Sequence, residues 1–247
     1  MVKNKGKNLP IIDIGFDEVW EAENWYGTIF NKPRFGLRSG KDKWNLGDIP
    51  ADLPELLEKI EDRGDRMSLI RKRLSSEIKR PEITQLINSS IVSTLKRWKE
   101  VDKEFFPILS IMIDVSLMQF EPRYRACFTL SSRAPFTKDA FMFNRYLDFA
   151  DLAMHEIMHI EFLKAYASFC IEQGLSEAQI DHLKEVLTIL LNEDARRLLT
   201  RLDPGYTKHQ EARAKILAIY INNGGSKGDF KNFLKEIIPI IKQCDFN

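Results

Sequence analysis

The pentapeptide His155-Glu156-Ile157-Met158-His159 is the part of the chain with the fewest structural solutions. On a helix, residues four apart lie on one face, so both imidazoles can present a nitrogen to a single ion. Glu156 stands beside the first histidine and three residues before the second. It can therefore reach a water on that ion, giving two ligands plus a general base. The flanks favour such a helix. From Leu147 to Phe169 there is no glycine or proline, and Leu, Ala, Met and Phe abound. Leu152, His155, His159 and Phe162 fall on one stripe at helical spacing, so the imidazoles point inward, where each needs a partner. The chain has four histidines, and two of them in this register weigh toward ligands rather than packing residues.

A catalytic zinc ion takes three protein groups and leaves one position for water, so a third ligand is required. The helix is expected to end near Gln173, with Gly174 as its stop. Ser176-Glu177-Ala178-Gln179 reads as a capping box that opens a second helix, continuing to about Leu202 ahead of Asp203-Pro204-Gly205. So short a connection implies antiparallel neighbours. At about 1.5 Å of rise per residue, the second helix regains the level of the histidines near Leu190 to Asp194. His182 and Glu185 then lie too close to the turn, Glu185 by roughly 9 Å. On this ruler Glu193 is the preferred ligand, with Asp194 and Glu185 behind it.

His155-Glu156-Ile157-Met158-His159 followed by Leu191-Asn192-Glu193-Asp194-Ala195 resembles the gluzincin group of zinc metallopeptidases, which includes thermolysin-like enzymes and neutral aminopeptidases. The resemblance covers about residues 147–202. It implies a zincin-like core in which His155, His159 and Glu193 hold zinc (Zn2+) and Glu156 polarises the attacking water. It also implies a tyrosine or histidine downstream of the third ligand that stabilises an oxyanion, and Tyr206 and His209 are the candidates by position. The gap from His159 to Glu193 is wider than in thermolysin-like enzymes. Arg197 stands four residues after Glu193, where those enzymes carry an aspartate supporting a ligand histidine; that support must come from elsewhere or be absent. The metzincin pattern is ruled out, because Phe162 and Ala165 stand where glycine and histidine would be needed.

Around this centre the chain reads as follows. Met1 to Asn8 is a basic, disordered tail, and the aromatic stretch Phe16 to Phe35 a short helix and loop packing on the main body. Arg34 to Asp48 is a loop. Asp52 to Phe106 is helical throughout, with breaks at Gly64 and a fresh start at Pro81. The basic residues from Arg66 to Arg80 are interspersed with acids and form a solvated face. Ile108 to Phe120, rich in β-branched residues, is expected as a strand, followed by strands over Tyr124 to Leu130 and Ala140 to Tyr146. In the resembled group, an edge strand of this sheet binds extended substrate by strand addition. Thr207-Lys208-His209-Gln210 reads as a capping box for a helix to about Ile221, and Phe230 to Gln243 as a last helix interrupted at Pro239.

With 44% hydrophobic and 30% charged residues over 247 positions, the chain can bury a substantial core. A net charge of +1 provides no global field for nucleic acid or membrane. No stretch approaches a membrane span, and the N-terminal lysines are followed by no apolar run of a secretory signal. The three cysteines are scattered and without metal spacing, which points to reduced thiols and a cytoplasmic setting. The expected fold is α+β: a mostly helical N-terminal region over 1–106, then a zincin-like core over 107–247. In that core a small, mostly antiparallel sheet precedes a helical half with the metal site. The expected function is zinc-dependent hydrolysis of a peptide bond in a peptide or protein substrate, without membrane or nucleic-acid partners, the oligomeric state being left open. Two other readings stay open: a catalytically inactive zincin-like binding or assembly protein, and an all-helical interaction protein whose histidines face the core.

Overall fold

The computed structural model describes residues 9–31, 45–225, 228–244 and 246. The expected tail over Met1 to Asn8, and most of the loop from Arg34 to Asp48 together with Phe35, lie outside the described residues. In chain order the elements are β1 (Ile11–Gly15), α1 (Glu18–Phe30), α2 (Leu53–Glu58), α3 (Arg63–Glu77) and α4 (Pro81–Met112). Then come β2 (Arg123–Phe128), β3 (Ala140–Phe143), α5 (Phe149–Glu172), α6 (Glu177–Leu187), α7 (Leu191–Asp194), α8 (Gln210–Asn222) and α9 (Phe230–Gln243). The architecture is α+β, as expected. Among the described residues no helix is long and apolar enough to cross a membrane.

The chain divides into two compact units that do not coincide with the expected boundary at 106/107. One holds residues 9–12, 99–124 and those from 150 onward; the other holds 13–98 and 125–149. Each takes chain from both sides of that boundary, because α4 runs unbroken past it.

In the first unit, the strand expected over Ile108 to Phe120 is a correction. Helix α4 continues through Pro107 to Met112. Phe105, Phe106, Leu109, Met112 and Ile113 are all buried while Ile111 is 71% exposed, a burial pattern at helical spacing that overrides the β-branched composition. The helix ends where Asp114 adopts a positive φ of 49° and Val115 N–H donates to the Ser110 carbonyl. Helix α5 is buried nearly all round through its middle, with Ala153, Met154, Ile157, Met158 and Phe162 inside. Its Glu161 accepts from the Tyr124 hydroxyl at 2.5 Å and the Glu121 backbone N–H at 2.9 Å. It stops as anticipated at Gly174, whose φ of 83° suits glycine. Ser176 and Gln179 form the expected capping box for α6. In α9, Pro239 does not interrupt the helix: Phe230, Phe233, Leu234, Ile237, Ile238 and Ile241 make one buried stripe, and Pro239 falls beside it. The capping box expected at Thr207 is also absent; a 3-10 turn over Thr207–His209 leads into α8 without a side-chain cap.

The second unit carries most of a three-stranded sheet in the order β1-β2-β3. Here too the expectation is corrected: β2 and β3 pair parallel, from Arg125 opposite Ala140 to Phe128 opposite Phe143, not antiparallel. Parallel neighbours need a connection of about a dozen residues, which 129–139 supplies, and their strands read as continuous apolar runs. Ala140-Phe141-Met142-Phe143, buried at every position, is such a run. The connection is held by α1, whose start is capped by Asp17 accepting from Val19 and Trp20 N–H. Asn24 Nδ2 donates to Thr129 Oγ1 at 3.0 Å and to the Arg133 carbonyl at 2.9 Å, and the Thr28 and Ser131 hydroxyls pair at 2.6 Å. In α3, Gly64 sits inside the first turn, after the Asp62 cap, instead of breaking a helix.

Glu21 is fully buried in this unit, its Oε1 accepting from Trp25 Nε1 at 2.6 Å and Leu130 N–H at 2.9 Å. Burial pushes its carboxyl up to about 7, the hydrogen bonds only partly opposing. The folded state therefore holds this proton more tightly than the unfolded chain, and its contribution to stability declines as pH rises from about 4.5 past 7. Glu21→Gln keeps the acceptor and cannot ionise. In urea melts at pH 5 and pH 8 it should remove a pH-dependent loss of about 3 kcal/mol from the wild-type profile.

Candidate metal centre

Helix α5 delivers His155 and His159 to one face with ring centroids 4.3 Å apart. The Glu185 carboxylate of α6 spans them, with Oε2 3.5 Å from His155 Nε2 and Oε1 3.3 Å from His159 Nε2. The ligand atoms of these three residues all lie within 4.8 Å of one another. Ligands about 2.0–2.2 Å from a tetrahedral ion stand roughly 3.3 Å apart, so two imidazoles and this carboxylate suit zinc without large rearrangement. Glu156, 7% exposed, faces the same neighbourhood, and its Oε2 is buried without a hydrogen-bond partner. A buried carboxylate oxygen in that condition is costly unless the site uses it.

Glu193, the expected third ligand, is exposed on α7, as is Asp194, and the fallback Glu185 takes the place assigned to it. The ruler assumed that α6 lies antiparallel along α5 and continues straight to Leu202. Instead α6 packs on α8 and α9 and ends at Leu187, followed by a 3-10 turn over Thr188–Leu190 and the short α7. Glu185, in the last turn of α6, is the residue that reaches the histidines, eight positions before Glu193.

A carboxylate of the kind missing at Arg197 does lie against His155, that of Asp203. Its Oδ2 lies 3.4 Å from His155 Nδ1, so Nδ1 faces a carboxylate while Nε2 faces Glu185. Asp203 is fixed from several sides. Its N–H donates to Asn192 Oδ1 at 2.8 Å, and Asn192 Nδ2 donates back to its carbonyl at 2.9 Å. Thr188 Oγ1 donates to Oδ2. The buried Arg213 guanidinium of α8 reaches the Asp203 carbonyl at 2.8 Å, Thr188 Oγ1 at 2.8 Å and the Glu185 carbonyl at 3.1 Å. Gly205, at φ 62°, lets the loop pass this guanidinium; a Cβ there would come within 2.6 Å of Arg213 Nε. Asp151, in the first turn of α5, accepts from the N–H groups of Thr200 and Arg201 and ties the start of the same loop.

The charges are partitioned. Burial opposes a charged His155, but hydrogen bonds to Asp203 and Glu185 outweigh it and hold its imidazole up at about 10. Burial and then the Lys184 ammonium push His159 down to about 3. Glu185 is held well below the usual carboxylate range despite burial, chiefly by His159 and His155, and Asp203 is lowered likewise by His155 and Arg213. Burial lifts Glu156 to about 7, the Glu185 and Asp203 charges adding to the shift and His155 opposing it.

Tyr206 and His209 are not part of this group. His209 is buried with its Nε2 2.9 Å from Nδ1 of His182 on α6, and its ring is 5.6 Å from that of half-buried Tyr206. Burial and the neighbouring His182 push His209 down to about 4. Sequence reasoning passed over Asp203, treated only as a helix stop, and Arg213. The signal for Glu185 was available: Lys184-Glu185 interrupts an otherwise apolar run, Leu183 to Leu187, where a charged pair has to be buried. No protein-family model matches the chain, and neither a curated protein nor a solved structure matches it.

Zinc reconstitution should give close to one ion per chain. Glu185→Ala should lose it and Glu193→Ala keep it, read by metal analysis after gel filtration. Without an ion His155 carries its proton at neutral pH, and a coordinating Nε2 must give that proton up. Affinity should fall as pH drops, and calorimetry at pH 7 in buffers of different ionisation enthalpy should register release of about one proton per ion.

Proposed function

We propose that this chain is a zinc-dependent peptidase in which His155, His159 and Glu185 hold the ion and Glu156 is the general base. The observation that carries the reading is the convergence of the two Nε2 atoms and the Glu185 carboxylate beside the unpartnered Oε2 of Glu156. Zinc held by these residues would supply a Lewis acid able to polarise a scissile carbonyl and favour ionisation of a water at neutral pH. Glu156 would take the water proton on its carboxylate and deliver it to the leaving amine. Asp203 holds His155 with a proton on Nδ1, which leaves Nε2 as the ligand atom. His209 engages its Nε2 with His182, away from the His155, His159 and Glu185 group, and takes no part in the proposed reaction. The substrate is a peptide or protein. Cys127, Cys170 and Cys244 are all free thiols, which fits a cytoplasmic setting.

A second reading, a zincin-like binding protein using the same ion without turnover, draws on the placement of His209 against His182. The two are separated by Glu156→Gln. For the peptidase, zinc content should match wild type while cleavage of a peptide library falls by a hundredfold or more, on the order of general-base effects. Equal cleavage by both proteins rejects Glu156 as the base. Stoichiometric zinc with no cleavage by wild type installs the binding-protein reading, and no zinc after reconstitution leaves a helical scaffold.

A further inference from the structure

Lys184 is the neighbour of the third candidate ligand and is 5% exposed, with its ammonium in contact with Glu185 Oε1. Consecutive side chains on a helix diverge by about 100°. Both must bend toward one point to touch, and here they do so inside the protein. Oε1 thus lies between this ammonium and His159 Nε2, 3.3 Å away, while the other oxygen, Oε2, is 3.5 Å from His155 Nε2 and has no ammonium against it. Three carboxylates, Glu156, Glu185 and Asp203, share this buried neighbourhood. Arg213 answers Asp203, with its guanidinium 3.5 Å from Oδ2. Lys184 answers Glu185, and the same ammonium bears electrostatically on His159 and Glu156.

We propose that Lys184 is a positioning residue of the metal centre: by engaging Oε1 it restricts Glu185 to binding through Oε2 alone, and it offsets the negative charge around the ion. The inference rests on the zinc reading above. An ammonium offers three donors and no acceptor, so it can hold a carboxylate oxygen and cannot itself compete for the ion while charged. A ligand carboxylate with one oxygen held leaves the coordination open for water and substrate, whereas one free to close on the ion with both oxygens fills that opening.

The test uses the full chain with zinc, titrated against a chromophoric chelator, and with cobalt(II) as a spectroscopic probe. Four-coordinate cobalt(II) absorbs visible light more strongly than the five-coordinate ion, so a second Glu185 oxygen on the metal is visible directly. Lys184→Met removes a positive charge beside the ion and frees a second Glu185 oxygen, so it should raise zinc affinity by about 10-fold or more and weaken the cobalt band, and Lys184→Arg, which keeps the charge, should reverse part of both. A Met variant equal to wild type in affinity and in band intensity overturns the proposal. If the Met variant loses its helical circular dichroism, Lys184→Gln is read by the same two measurements with the same meaning. Zinc bound by wild type, lost in Glu185→Ala and indifferent to Lys184 rejects this inference alone. Wild type that binds no zinc rejects the metal reading together with it.

Discussion

One buried carboxylate, that of Glu185, has to satisfy two imidazoles and an ammonium at once. Removing so many ionisable groups from water is expensive, and the arrangement holds only when each is paired in good geometry. Much of the surrounding framework serves that requirement. Arg213 grips the Glu185 carbonyl, so the turn of α6 that carries Glu185 is pinned through its backbone as well as its side chain. The same guanidinium fixes Asp203, which faces the far nitrogen of His155. The apolar jacket of α5 then excludes the water that would weaken these attractions.

What could be read from the sequence follows the range of the interactions. His155, Glu156 and His159 belong to little more than one turn, and their shared face is set by helix geometry alone. The end of α5 at Gly174 and the Ser176 cap are equally local and came out as expected. The third member of the group was misassigned because it depends on where α6 points. That direction is decided by packing on α8 and α9, whose sequences lie well downstream. Asp203 was hidden for the same reason: its role is conferred by Asn192, Thr188 and Arg213, none of which is its near neighbour in sequence.

The fold shows the same division. Strand β3 lies within the run expected of it and β2 overlaps its own, starting one residue earlier at Arg123, yet their mutual direction depends on the path of residues 129–139, which composition does not specify. At Pro107 the β-branched residues favoured a strand on propensity. The apolar positions Phe105, Leu109 and Met112 were already spaced for a helix, and burial of that face decided the outcome.

The polar ties of α1 have a kinetic side. Asn24 and Thr129 are separated by 105 positions, and Thr28 and Ser131 by 103. During synthesis, α1 leaves the ribosome long before the partners of its buried Asn24, Thr28 and Glu21 exist. Contacts between such distant residues slow folding, because a large loop must close before any of them is gained. Until residues 129–133 arrive, Asn24 and Thr28 lack these partners on the inner face of α1. This part of the protein is therefore completed only after residues 129–133 have emerged, and the nascent chain is most exposed to chaperones and proteases in that interval.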